Sequence, residues 1–422
     1  MKPLFSWYGD DFTGSTDALE AVASRGLESV LFLDPPDEPL RERFASCQAV
    51  GIAGESRSRG PEWMDSNLPS IFESLRSIGA PICHYKVCST FDSSPQFGSI
   101  GRALELGQRT LGSPWVPIAV AAPHLKRYVL FGNLYAAAAG AVYRIDRHPT
   151  MSRHPVTPMG EADLRLHLGR QTDRRIALVD IVALESGAGE AQLDEALRAG
   201  CNGVLFDGLL ENSVEEVGRL IWSHRPAGPL FCVGSSGLAH ALMLHWRTLG
   251  MIPAAWTPPA VKPVEQLIVI SGSCSPATEV QLRWAMQNGY AGFRVGIENA
   301  VESAVAALAD GKNVVLYSAL GPGDCSGPPR GEVLGRELGS FLRDLLRRSG
   351  VRRAVVAGGD TSSHAVRQLG IDALTFAGLL SPGAPLCRGH SNDPLVDGLE
   401  LVLKGGQVGP EDFFEMVRKG KV

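Results

Sequence analysis

No run of about 18 consecutive apolar residues occurs anywhere in the chain, so the sequence offers no candidate for a membrane-spanning helix. Paired cysteine motifs are missing too. The eight cysteines (Cys47, Cys83, Cys88, Cys201, Cys232, Cys274, Cys325 and Cys387) are scattered without C-x-x-C spacing or a neighbouring histidine pair. This argues against a zinc motif or a disulfide framework and predicts reduced thiols in a cytoplasmic protein. The first residues lack the basic, apolar and small-residue order of a secretory leader, which carries the same expectation. A strong charge of one sign is also absent: 40 Lys plus Arg stand against 45 Asp plus Glu, for a net charge of -5. Such a balance argues against a nucleic-acid-binding chain, and nothing marks a membrane-binding one. Finally there is no G-x-x-x-x-G-K-[ST], no G-x-G-x-x-G after a first strand and no G-x-S-x-G. The standard P-loop, dinucleotide and α/β-hydrolase sites are therefore disfavoured.

What is present is ordinary globular composition, 44% hydrophobic and 20% charged, over 422 residues, enough for two or three domains. Short apolar runs such as Leu4 to Tyr8, Ser29 to Leu33, Ile118 to Ala121, Ile176 to Val179, Val204 to Phe206 and Leu230 to Val233 alternate with helical segments. This rhythm predicts an α/β fold, a mainly parallel sheet flanked by helices. Four prolines fall within residues 251–265, a composition hostile to helix and to a central strand. The rhythm then resumes with Leu267 to Ile270, Val314 to Tyr317, Ala354 to Ala357 and Leu399 to Leu403. We therefore expect two domains of this kind, residues 1–250 and 266–422, joined by a Pro-rich linker at 251–265.

In open parallel sheets ligands sit beyond the carboxyl ends of strands, so the strand-to-helix turns are the places to search. The first is Gly9-Asp10-Asp11-Phe12-Thr13-Gly14-Ser15-Thr16-Asp17, whose two adjacent carboxylates, two glycines and three hydroxyls exceed what helix capping needs. Comparable turns are Gly234-Ser235-Ser236-Gly237, Ser271-Gly272-Ser273-Cys274-Ser275, Gly358-Gly359-Asp360-Thr361 and Gly405-Gly406. Glycines admit a ligand close to the backbone, and the N–H groups and hydroxyls of a helix start donate to an anion. Helix capping alone is the competing explanation for each. Ser236 and His240, four residues apart, also have the spacing of a nucleophile and its base, but no third group is apparent.

Taken together these motifs resemble the four-carbon acid sugar kinase family. The resemblance extends over nearly the whole chain: GDDFTGSTD, Ser56-Arg57-Ser58, Lys86 with Ser89-Thr90, the 234–238 turn, SGSCSPATEVQ at 271–281, GGDTS at 358–362 and LKGGQVGPEDFF at 403–414. It implies a sugar-acid-binding N-terminal domain, a nucleotide-binding C-terminal domain, and ATP-dependent phosphorylation of acids such as threonate, erythronate or 3-oxo-tetronate. It places the sugar acid near Asp10, Asp11, Ser56, Arg57, Lys86, Ser235, Ser236 and Gly237. It places ATP against Ser273, Gly358, Gly359, Asp360, Thr361 and Gly406, with Mg²⁺ bridging phosphates. Arg57 and Lys86 suit a carboxylate; Asp10 and Asp11 suit sugar hydroxyls. Asp11 and Asp360 are the candidate catalytic bases, Asp360 being equally suited to Mg²⁺, and no metal-ligand set is assigned.

One segment departs from the family pattern Lys-x-Asp-Ser-Thr-x-Arg-Gly. Here Cys88 replaces the acid and Asp92 the basic residue. A cation is lost from the substrate region and a carboxylate gained, which points to a 3-oxo or branched sugar acid such as 3-oxo-isoapionate. Arg144, Arg147 and Arg153 are candidates to replace the lost charge, or belong to a solvated loop. A non-catalytic sugar-acid sensor and a sugar-acid lyase or dehydrogenase are the alternatives, and homo-oligomerisation is left open.

Overall fold

The computed structural model describes residues 2–138, 140–154, 156–324 and 331–421, with Asp360 described by its backbone alone. The apolar runs form strands, and two compact units result: Met1–Asp10, Arg25–Ser29 and Pro35–Trp256; and Asp11–Ser24, Val30–Asp34 and Thr257–Val422.

The sheet of the first unit runs in the order Ala49–Ala53, Phe5–Gly9, Ile82–Lys86, Leu230–Gly234, Val116–Ala119, Gly203–Phe206 and Ile176–Val179. Every neighbouring pair is parallel. Strand alternation sends Phe5 and Trp7 to one face and Ser6 and Tyr8 to the other. On the first face Phe5 meets Trp246 of helix Ser236–Thr248 edge-on, ring centroids 6.4 Å apart. On the second, Tyr8 meets Phe72 of helix Pro61–Ile78, at 6.4 Å. Both faces are thus covered, which is why the strands read as continuous apolar runs. An antiparallel sheet of Arg127–Leu130, Asn133–Ala138 and Ala141–Arg144 is added, unannounced by the βαβ rhythm.

In the second unit Ala291–Arg294, Val314–Tyr317, Ile268–Ser271, Arg353–Ala357 and Glu400–Lys404 are parallel in that order. Ala384–His390 and Ala373–Ser381 follow antiparallel. Val269, Val355 and Val402 form one core with Leu282, Phe413, Phe414 and Val417. Helix Gly331–Ser349 approaches helix Gly359–Arg367 closely at Gly339, where a Cβ would lie 2.4 Å from the Ala365 carbonyl oxygen.

The expected contiguous division at 251–265 differs from these units near the amino terminus. Helix Phe12–Ala23 and residues 30–34 belong to the second unit. Val30, Leu31 and Phe32 pair antiparallel with Thr375, Leu374 and Ala373, and Glu20 accepts the Gly383 N–H at 2.9 Å. Such pairings span more than 300 residues, and no local pattern announces them. The cysteine expectation also needs correction: Cys274 is disulfide-bonded, while Cys47, Cys83, Cys88, Cys201, Cys232 and Cys387 are free. Pairing depends on the approach of distant turns, which scattered spacing does not encode. No helix among the described residues is long and apolar enough to cross a membrane.

Candidate functional site

In the first unit the carboxyl ends of four adjacent strands bring together the turns after Ala53, Gly9, Lys86 and Gly234. The Asp10 N–H donates to the Lys86 carbonyl at 2.9 Å, the Arg57 N–H to the Asp10 carbonyl at 3.0 Å, and the Val87 N–H to the Gly234 carbonyl at 2.8 Å. Above this backbone lattice Arg57 grips the Asp10 carboxylate with two hydrogen bonds, Nε to Oδ2 at 3.1 Å and Nη2 to Oδ1 at 2.6 Å. Ser56 shares a 2.9 Å hydrogen bond with the Tyr85 hydroxyl, and Lys86 is buried at the strand end.

Ser235 caps helix Ser236–Thr248: its Oγ accepts the Gly237 N–H at 2.9 Å and donates to the Val120 carbonyl at 2.8 Å. Gly237 is required there, because a Cβ would lie 1.9 Å from the Ala121 carbonyl oxygen. Between them the Ser236 Oγ is buried without a hydrogen-bond partner. An orphaned hydroxyl is costly unless a ligand completes it. His240 makes no hydrogen bond to it, and burial depresses the His240 pKa to about 3, so a Ser236–His240 catalytic pair is not formed.

The divergent segment folds into a polar cluster of its own. Thr90 Oγ1 lies 2.5 Å from Asp92 Oδ1 and 2.8 Å from Cys88 Sγ, and Thr157 Oγ1 is 3.4 Å from Asp92 Oδ2. Thr157 in turn donates its N–H to His154 Nδ1 at 3.1 Å. Burial opposes ionisation of Asp92, but the Arg57 charge and the Thr90 hydrogen bond outweigh it and hold the carboxyl below its ordinary range. Burial and the Asp92 charge both push the Cys88 thiol up. Arg144 pairs instead with Asp146, at 2.7 and 2.6 Å, and Arg147 and Arg153 are exposed.

In the second unit three adjacent strand ends do the same for Ser271, Gly358 and Lys404. Ser273 Oγ donates to Thr278 Oγ1 at 3.1 Å, and Thr278 Oγ1 donates to the Gly406 carbonyl at 3.1 Å. A Cβ on Gly272 would lie 2.2 Å from Thr361 Oγ1, and one on Gly406 3.3 Å from Ser273 Oγ. Gly358 has φ +120, a conformation that side chains resist. Ser273, Gly358, Thr361 and Gly406 therefore converge on one glycine-lined cradle. Asp11 caps helix Phe12–Ala23 through the Gly14 N–H at 2.7 Å and accepts from Thr13 Oγ1 at 2.8 Å. Its Oδ2 lies 3.6 Å from where a Gly359 Cβ would be, so Asp10 and Asp11, neighbours in sequence, belong to different units. Gly359 begins the adjoining helix, and the Asp360 side chain lies outside the described residues.

The sequence profile described as a sugar-binding N-terminal domain matches residues 5–242, and the one described as a nucleotide-binding C-terminal domain matches residues 268–414. A curated relative, the 3-oxo-isoapionate kinase of Paraburkholderia graminis, is 48% identical over 99% of this chain and 95% of its own. The chain belongs to the four-carbon acid sugar kinase family. As a member it is a sugar-acid kinase. The 3-oxo-tetronate kinase of Cupriavidus necator is 29% identical, covering 98% of this chain and 96% of that one. A solved structure from Salmonella typhimurium LT2 shares the fold with TM-score 0.79 at 24% identity, over 99% of both chains.

Gln281 and Lys404 lie inside the 271–281 and 403–414 motifs but were assigned no role from the sequence. Lys404 is fully buried and donates to Thr278 Oγ1 and the Gly405 carbonyl, each at 3.0 Å; burial lowers its pKa to about 7. Gln281 Nε2 reaches the carbonyls of Val408, Gly409 and Pro410 at 3.0, 3.0 and 2.9 Å, fixing the chain after the glycine turn. A lysine closing an apolar strand directly before two glycines was the available signal.

Proposed function

We propose that this kinase transfers the γ-phosphoryl group of ATP to a hydroxyl of a branched 3-oxo sugar acid of the 3-oxo-isoapionate class. The observation that carries the proposal is the 48% identity to a 3-oxo-isoapionate kinase over 99% of this chain, against 29% to a 3-oxo-tetronate kinase. The Cys88–Thr90–Asp92 cluster supports it, since a buried carboxylate near the sugar acid suits an additional hydroxyl donor and repels a second carboxylate.

In this reading Asp10, held by Arg57, and the orphaned Ser236 hydroxyl orient the acid, with Lys86 supplying positive charge. The second unit's cradle suits ATP: its glycines leave no Cβ between backbone and ligand, and Ser273 and Thr361 add hydroxyls. Mg²⁺, when bound with ATP, neutralises charge on the phosphate oxygens. It takes most of its ligands from phosphate and water, so one or two protein carboxylates suffice, and Asp11 and Asp360 are the candidates. Asp11 and Asp360 are also the candidates to accept the proton of the attacking hydroxyl. Catalysis then rests chiefly on positioning, which supplies about 7–11 kcal/mol when reactants reach near-attack geometry.

The test is ADP release by the purified chain with ATP and Mg²⁺ on threonate, erythronate, 3-oxo-tetronate and 3-oxo-isoapionate. The highest kcat/KM is expected for 3-oxo-isoapionate. A clear preference for threonate overturns the substrate assignment.

A further inference from the structure

Arg127 opens the strand Arg127–Leu130, and its guanidinium is hydrogen-bonded on one edge and lacks an acceptor on the other. Nη1 donates to the carbonyls of Leu125, Lys126 and Ala137 at 3.0, 3.1 and 3.5 Å, which fixes the plane of the group. On the opposite edge Nε is buried with no acceptor. Among the described residues no carboxylate pairs with Arg127, and Nη2 has no protein acceptor. Three arginines of this unit have the same edge filled, Arg57 by Asp10, Arg144 by Asp146 and Arg165 by Asp163. A partly buried guanidinium without a counter-anion is expensive to maintain, and burial accordingly depresses its pKa.

Its position decides what the open edge faces. Arg127 and Ala122 exchange backbone hydrogen bonds at 2.9 and 3.1 Å. The two residues before Ala122 support the substrate turn, Val120 accepting from Ser235 Oγ and Ala121 packing against Gly237. Cys88, in the divergent segment after Lys86, is near enough to interact electrostatically with Arg127. Arg127 thus pairs directly with the segment that supports the turn of the orphaned Ser236 hydroxyl, and its charge reaches the segment where the family's usual cation is replaced by Asp92.

We propose that Arg127 receives the carboxylate of the sugar acid through Nε and Nη2, in place of the cation missing at position 92. The planar Nε–Nη2 fork matches two carboxylate oxygens, a geometry an ammonium does not reproduce. The proposal rests on the sugar-acid reading given above and names the residue that anchors the acid end of the substrate.

The wild-type chain, Arg127→Gln and Arg127→Lys are compared for steady-state turnover and, without ATP, for calorimetric binding of 3-oxo-isoapionate and its uncharged carboxamide. Loss of a charge-assisted fork is expected to raise the acid KM of Arg127→Gln about 10–100-fold, with the ATP KM unchanged within about twofold. Arg127→Lys is expected in between, and the carboxamide is expected to bind wild type and Arg127→Gln equally. An unchanged acid KM, or an ATP KM that rises in parallel, overturns the proposal. Should Arg127→Gln not fold, Arg127→Lys decides: an unchanged acid KM in that variant is equally fatal. A wild-type chain that binds the acid without phosphorylating it overturns the kinase reading alone, and Arg127 is then judged by the loss or retention of acid binding in its variants. A wild-type chain that neither binds nor phosphorylates the acid overturns both.

Discussion

Arg57 holds both oxygens of Asp10 across 47 residues of sequence, Nε to Oδ2 at 3.1 Å and Nη2 to Oδ1 at 2.6 Å. The arginine that sequence reasoning assigned to a substrate carboxylate thus has its fork filled by the protein itself. In the proposed reading its role is to orient Asp10 as an acceptor for sugar hydroxyls.

Because the Asp10 side chain is only 5% exposed, Arg57→Ala weakens the compensation of a buried charge and is expected to cost about 3 kcal/mol of stability. The double variant Asp10→Asn/Arg57→Ala, which removes that charge as well, is expected to recover part of the loss. Urea denaturation of the three proteins measures both. Additive losses would show that the two side chains do not act as a pair.

Lys404 predicts a pH signature. Its folded-state pKa is pushed down to about 7 by burial, whereas the unfolded chain titrates near 10.4. Between those values the unfolded state binds a proton that the folded state does not, so this lysine makes stability rise with pH across that window. The urea midpoint of wild type relative to Lys404→Met is expected to climb from pH 7 to pH 10. A constant difference would mean that Lys404 titrates normally.

Two glycines separate the two ligands. Gly237→Ala forces a Cβ against the Ala121 carbonyl, and Gly272→Ala forces one against Thr361 Oγ1. Each is expected to cost about 1–3 kcal/mol by overpacking. The first is expected to raise the KM for the sugar acid and the second that for ATP. Steady-state kinetics with each substrate varied in turn checks this, and the opposite pattern would exchange the assignments of the two units.

Ser236→Ala is expected to separate stability from function. Removing a buried hydroxyl that has no partner leaves the ligand-free protein equally stable or more stable. The same change removes a hydrogen bond to the sugar acid and is expected to weaken its binding about 10-fold. Thermal unfolding and calorimetry on the same sample read the two effects; a destabilised protein with undiminished acid binding would assign Ser236 to the fold alone.

Much of this site was legible because its chemistry sits at strand ends. Ser273, the Gly358–Thr361 pair and Gly406 stand in three turns far apart in sequence, yet each turn is rich in Gly and hydroxyls and follows an apolar run, and three adjacent parallel strands bring those turns together. Lys404 stands inside the 403–414 motif, but its burial is set by the neighbouring strands and turns and is not written in the motif. Arg127 stands in no motif of the sequence, and its Nε without an acceptor, like the pairing of Arg144 and Arg147 with Asp146, is a property of the folded chain.

The amino-acid sequence alone determined the α/β rhythm, the position of the glycine-rich turns and the family, since strand alternation, helix caps and glycine-rich turns are local properties of short segments. Tertiary structure decided which charges are compensated. It paired Arg57 with Asp10, left one edge of Arg127 open, and drew Asp11 away from Asp10 into the other unit. The physical reason is that an ion pair depends on distances between segments far apart in sequence and on the burial around them, neither of which a local pattern records.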